Sequence, residues 1–133
     1  MKVFITGGSG FIGRHLVRKC LDRGYDVYAL AHTEHSAAEL DALGATVVPG
    51  DILQRDSMRE GMEGSDLVFH LAGWYKLGSK DWMQAEAINV AGTRNVLRLA
   101  YELGVPKIVY TSTTTVFGDT RGQMVDETFF QFQ

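Results

Sequence analysis

Three glycines in Thr6-Gly7-Gly8-Ser9-Gly10-Phe11-Ile12-Gly13 recur at a spacing of three, G-x-x-G-x-x-G. The chemistry open to such a loop is anion binding by backbone, without a charged side chain. The first glycine allows a tight turn. The second lets a diphosphate approach the main chain, and the third lets the following helix lie close to the preceding strand. Free N–H groups and the positive end of the helix dipole then face the anion. Spacing alone is a weak signal, and position gives it weight. Val3-Phe4-Ile5 before the loop reads as a buried strand, and helical periodicity begins at Phe11. A loop that is merely rich in glycine has no reason to sit at that junction.

Hydroxyls concentrate in Thr111-Ser112-Thr113-Thr114-Thr115, where another apolar run ends. In open α/β sheets ligands bind at the carboxyl ends of strands. Threonine is also a common strand residue, so composition does not choose among the four. Other candidates have plainer readings. His32 and His35 lie three apart with no third ligand nearby, so no metal site is expected. His70 sits in an apolar run and reads as a buried histidine with a hydrogen-bonded ring, and Cys20 as core packing. Arg14, Arg18, Lys19 and Arg23 form a solvated helix face. Trp74, Tyr75 and Trp82 flank the expected mouth of the site, either covering a ligand or packing a loop.

The elements that must position these groups alternate between two periodicities. Strands are predicted over 3–5, 27–31, 45–48, 66–71 and 107–111. Helices are predicted over 11–23, 36–43, 56–62 and 81–103. In the first helix Phe11, Ile12, His15, Leu16, Cys20 and Leu21 mark the apolar face. Gly24, Gly44 and Gly104 each close a helix just before a strand. Strands that are apolar on both faces and alternate with helices imply a parallel sheet covered on both sides. With right-handed crossovers the expected fold is α/β and doubly wound, in the order 3-2-1-4-5.

Composition narrows the function classes. The chain has 133 residues, 45% hydrophobic and 22% charged, which fits one globular domain over 1–133. A net charge of −3 gives no drive toward nucleic acid. No apolar run approaches the ~20 residues of a membrane span, and Gly7-Gly8 interrupts the apolar start, so neither membrane nor signal peptide is expected. One cysteine excludes an intramolecular disulfide framework and fits a reducing, cytoplasmic setting.

The glycine segment resembles the fingerprint of extended short-chain dehydrogenases/reductases, the NAD(P)-dependent epimerase/dehydratase family. Four further segments match in order. Gly50-Asp51-Ile52 is similar to G-D-[IL], and Val68-Phe69-His70-Leu71-Ala72-Gly73 to V-[FI]-H-L-A-[AG]. Asn89-Val90-Ala91-Gly92-Thr93-Arg94-Asn95-Val96-Leu97 is similar to N-V-x-G-T-x-N-[VL]-L, and residues 109–118 to V-Y-T-S-S-x-x-V-Y-G. Within the family, Ala72-Gly73-Trp74-Tyr75-Lys76-Leu77 and the long helix look nearest to dihydroflavonol-reductase-like and sugar-epimerase-like members.

The resemblance implies a Rossmann fold with a cofactor held by Gly7, Ser9, Gly10, Phe11, Ile12, Gly13, Asp51, Ile52, Leu71, Ala72 and Gly73. It implies that Thr113 is the catalytic hydroxyl, acting on a small-molecule substrate by hydride transfer at a secondary alcohol or ketone. The substrate would be a nucleotide sugar or a dihydroflavonol-like ketone. Cofactor choice turns on the end of the second strand, where an acidic residue reads a free ribose. The run here is Ala29-Leu30-Ala31-His32-Thr33, and His32 stands where NADP-using relatives carry arginine. With Arg14 nearby, NADP is expected over NAD.

One departure matters. The family carries Tyr-x-x-x-Lys, its general acid/base, downstream of the catalytic Ser/Thr, and no such spacing occurs within the 133 residues. The chain thus reads as the cofactor half of a longer enzyme, stopping before the last strands and the substrate lobe and inactive by itself. The alternative reading is a non-catalytic NAD(P)-sensing module. Phe129, Phe130 and Phe132 are expected to fold over an exposed surface or to meet another chain, giving a homo-oligomer.

Overall fold

The computed structural model describes residues 1–75 and 81–129. Among them, five parallel strands form one sheet: β1 (Lys2–Thr6), β2 (Asp26–Ala31), β3 (Thr46–Pro49), β4 (Leu67–His70) and β5 (Ile108–Tyr110). Their order is β3-β2-β1-β4-β5. Ile5 lies in register with Ala29 on one side and Phe69 on the other. The chain builds outward from β1 to β3, then returns to add β4 and β5 on the opposite side. The crevice at the carboxyl ends of β1 and β4 is therefore a topological switch point, where open α/β sheets take ligands.

Strand alternation sends side chains into two cores. Val3 and Ile5 of β1 pack with Val17 and Cys20 of α1 (Phe11–Asp22) and Leu40 of α2 (Glu34–Ala42). Phe4 points the other way, into a core with Met58, Met62, Val96 and Leu99. Met58 ends a 3₁₀ turn (Arg55–Met58), and Met62 ends the short helix α3 (Arg59–Met62). Val96 and Leu99 belong to the last helix. The sheet is thus covered on both faces, as its doubly apolar strands require.

Two details depart from periodicity. The buried face of α1 is Gly13, Val17 and Cys20, whereas Phe11 and Ile12 are 78% and 60% exposed. Close seating of Gly13 turns that line of residues toward the sheet, and Phe11 and Ile12 stand off at its open end. The helix expected over 81–103 is a run over 82–102. It comprises α4 (Trp82–Glu86), a π-helical turn (Ala87–Gly92) and α5 (Thr93–Glu102).

The carboxyl-terminal stretch is partly described. Phe129 meets Phe117 edge-on, with ring centroids 6.2 Å apart. Phe130, Phe132, Lys76 and Leu77 lie outside the described residues. Phe4, fully buried at the centre of the sheet, is the sharpest probe of the core. Phe4→Ala is expected to lower the unfolding free energy by about 3–5 kcal/mol, read as a lower midpoint in urea with an unchanged slope.

Candidate dinucleotide site

The site begins where β1 runs into α1. Gly7 has φ +72°, and a Cβ there would stand 2.6 Å from the Ala72 amide nitrogen and 2.7 Å from the Leu71 carbonyl carbon. Only glycine meets both the left-handed backbone and the close approach. A Cβ on Gly13 would strike the Gly7 carbonyl oxygen and approach the Gly8 Cα at 2.7 Å. Gly7 and Gly13 are thus packing glycines. Gly10 is different: it is exposed, extended at φ −69° and ψ 173°, and serves as the N-cap of α1. It offers no side-chain cap, and the first turn of α1 holds no carboxylate. Those N–H groups are a ready anion site. Ser9 lies half-buried beside them.

The carboxyl end of β4 is tied to the same loop. Leu71 N donates to Thr6 O at 3.1 Å, and Ala72 N to Thr6 Oγ1 at 3.3 Å. His70 is wholly buried, with Thr6 Oγ1 2.7 Å from Nδ1 and Thr93 Oγ1 2.9 Å from Nε2. Its ring stacks on Tyr110 at 5.2 Å. Burial pushes its pKa down to about 4, so the imidazole is neutral at pH 7. Beyond Ala72, Gly73 is exposed. Trp74 is then gripped at both backbone groups: its N–H donates to Asn89 Oδ1 at 2.7 Å, and Asn89 Nδ2 donates to its carbonyl at 3.0 Å.

The last helix also holds the segment after β3. Gly92 lacks a Cβ that would lie 2.5 Å from Ile52 Cδ1, and Asn95 Nδ2 donates to Ile52 O at 2.9 Å. The Ile52 side chain is accordingly buried in the core, so this residue meets the site through its backbone. Asp51 caps its own turn, accepting from Leu53 N at 2.9 Å. Asp51, His32, Thr33 and Glu34 line one open cleft of about 460 Å³ between the ends of β2 and β3. Arg14 lies across α2, 3.5 Å from Glu39.

Thr113 stands apart from this cluster. It is exposed beyond β5 and caps a 3₁₀ turn (Thr114–Phe117), with Oγ1 3.0 Å from Thr115 Oγ1 and accepting from Thr115 N at 3.3 Å. Thr114, Thr115, Phe117 and Gly118 border a hollow of about 400 Å³ next to it. Among the described residues no His, Cys, Asp or Glu cluster could hold a metal, and no helix is long and apolar enough to cross a membrane. The sequence carries Asn89, Gly92, Thr93 and Asn95 only as a segment similar to the family's, and the structure gives each a contact of its own. Their signal was present, a small residue and three polar ones on a largely apolar helix.

The buried histidine gives a pH dependence. Between pH 6.5 and 4 the unfolded chain binds a proton at this position and the folded one does not. Stability is full above about pH 6.5 and falls as pH drops toward 4, by about 3 kcal/mol across the window. Urea unfolding of wild type and His70→Asn across this range checks it. The variant is expected to lack that share of the slope.

Comparison with known proteins agrees with this geometry. The chain is 38% identical over 128 residues to a 4-hydroxy-2-methyl-3-oxo-4-farnesyl-3,4-dihydroquinoline-1-oxide ketoreductase of Stigmatella aurantiaca, covering 96% of this chain and 38% of the relative. It is 39% identical over 127 residues to a putative dihydroflavonol 4-reductase of Synechocystis, covering 95% and 37%. The chain thus spans less than two-fifths of the length of these curated relatives. A solved structure of Thermus thermophilus UDP-glucose 4-epimerase in complex with NAD superposes with a TM-score of 0.82 at 29% identity, covering 97% of this chain and 43% of that one. The NAD dependent epimerase/dehydratase family matches residues 3–131. With nearly its whole length matched and its glycine loop seated against the end of β4, the chain belongs to the NAD dependent epimerase/dehydratase family.

Proposed function

We propose that residues 1–133 are the dinucleotide-binding domain of an NAD(P)-dependent oxidoreductase, epimerase or dehydratase. The observation that carries this reading is the uncapped start of α1 beside the close contact of Gly7 with Ala72. The residues present fit the cofactor. The backbone from Gly7 to Gly13 would take the diphosphate, with Ser9 beside it and Phe11 and Ile12 exposed at the start of α1. His32 and Asp51, which line one cleft, and the Ile52 backbone would hold the adenosine end, and Leu71, Ala72 and Gly73 the nicotinamide end. When bound, the dinucleotide supplies or accepts a hydride at its nicotinamide ring.

The chain's own residues bind and orient. Thr113 exchanges its hydrogen bond to Thr115 for one to the oxygen of a secondary alcohol or ketone, positioning that carbon for transfer. The relatives' names, a ketoreductase, a dihydroflavonol reductase and a UDP-glucose epimerase, support a ring ketone or a nucleotide sugar as the substrate. The setting is cytoplasmic. The 133 residues hold no Tyr-x-x-x-Lys and bind cofactor without turnover.

The proposed cofactor is NADP over NAD, because His32 borders the cleft at the end of β2 and no carboxylate stands at 31–33. Calorimetric titration is expected to show weak binding of both, NADP the tighter. Equal or tighter binding of NAD overturns the preference. Gly10→Val is expected to abolish both by filling the diphosphate space, and wild-type affinity in that variant overturns the site.

The protein is also proposed to self-associate. Val109 and Tyr110 on the edge strand β5 are 41% and 43% exposed, and an open edge with apolar side chains invites pairing. Light scattering over a concentration series is expected to show a rising mass; a constant monomer mass counts against it.

A further inference from the structure

His70 is wholly buried, yet it ties together the ends of β1, β4 and β5 and the start of α5. Its backbone carbonyl accepts from Thr111 N at 3.0 Å, fixing the exit of β5. Its ring bridges residues 64 and 23 positions away, Thr6 at the end of β1 and Thr93 at the start of α5. Thr6 Oγ1 in turn accepts from the Ala72 amide, which lies against Gly7. Taking the dinucleotide reading as given, we propose that neutral His70 is a positioning residue. It holds Ala72 at the glycine loop through a proton-ordered chain: Ala72 N–H to Thr6 Oγ1, Thr6 O–H to His70 Nδ1, and His70 Nε2–H to Thr93 Oγ1.

The direction follows from counting protons. Thr6 Oγ1 already accepts from Ala72. If Nδ1 carried the ring proton, Thr6 would accept a second time and its own proton would have no acceptor in the set. With Nδ1 bare, that proton has its place. Thr93 is 9% exposed whereas Thr6 is wholly buried, so a hydroxyl proton outside the set costs less at Thr93 than at Thr6. The surroundings keep the ring neutral. Thr6 of β1 and Thr93 of α5 carry no charge, Tyr110 of β5 is the titratable group stacked on it, and burial lowers its pKa. A second ring proton would turn Nδ1 into a donor facing a hydroxyl that must then release its own hydrogen bond. Ala72 would lose its ordered anchor.

The test combines ring spectroscopy with binding, on the full chain. Long-range ¹⁵N–¹H correlation at pH 7 is expected to place His70 Nδ1 in the bare range and Nε2 in the N–H range; the reverse overturns the proposal. The Ala72 amide is expected to exchange slowly with solvent in wild type and Thr6→Ser, and at least about tenfold faster in Thr6→Val. Titrated with NADP, His70→Asn keeps an acceptor for Thr6 and binds close to wild type. His70→Phe, folded by circular dichroism, binds about tenfold or more weakly. Equal binding by a folded His70→Phe overturns the proposal. If that variant does not fold, Thr6→Val against Thr6→Ser decides in its place. Should wild type bind neither NADP nor NAD, the dinucleotide reading fails by itself. The tautomer and the Ala72 exchange rate still decide for or against the hydrogen-bond chain.

Discussion

Everything at the site depends on one backbone approach, that of Gly7 to the Leu71–Ala72 peptide. At 2.6 Å from a notional Cβ to the Ala72 nitrogen, there is room for a hydrogen on Gly7 and for nothing larger. The approach brings the carboxyl ends of β1 and β4 together with the start of α1. It also sets where the first free N–H groups of that helix point. The same packing repeats at Gly13, where the helix presses on the loop that precedes it. A candidate anion site of this kind consists mostly of absent side chains: no Cβ at Gly7 or Gly13, no cap at Gly10, no acid in the first turn. The missing groups leave the helix dipole and its N–H donors uncompensated.

The run over 82–102 braces this arrangement from the far side. Three of its residues reach three separate segments: Asn89 the backbone of Trp74, Thr93 the ring of His70, and Asn95 the carbonyl of Ile52. Gly92 lets Ile52 in close. In a regular α-helix successive residues advance by 100°. A π-helical turn changes that advance locally, and such turns are frequent at functional sites. Here the turn over Ala87–Gly92 contains Asn89, while Thr93 and Asn95 follow in ordinary α-helix. One helix can therefore brace the segments that follow both β3 and β4.

Among the described residues, polar groups inside this framework are few, and all but the Ser65 hydroxyl find a partner. His70 is buried and neutral between two hydroxyls. The Cys20 thiol is pushed up by burial, with Arg23 pulling weakly the other way, so it stays protonated in the α1 core. Charges lie at the periphery, as where Glu102 joins Arg55 at 2.7 Å and Arg59 at 3.1 Å across exposed surface. An exposed pair of this kind adds little stability.

The sequence by itself determined the topology and the place of the glycine loop. Both are written in short-range patterns: apolar runs alternating with helical periods, a glycine closing three of the four predicted helices, and three glycines recurring from the end of the first strand into the first helix. Such patterns need no knowledge of distant partners. The sequence also marked His70 as buried, because it stands in an apolar strand. Only the tertiary structure decided what that histidine binds, since Thr6 and Thr93 come to it from far along the chain. It turned Phe11 and Ile12 outward although their spacing suits a buried face, because the seating of Gly13 sets the rotation of α1. It buried the Ile52 side chain under Gly92, and it bound the Thr113 hydroxyl into a turn of its own. It also inserted a π turn that no 3.6-residue period can register. Periodicity reports which faces are apolar, and the contacts between faces set which atoms meet.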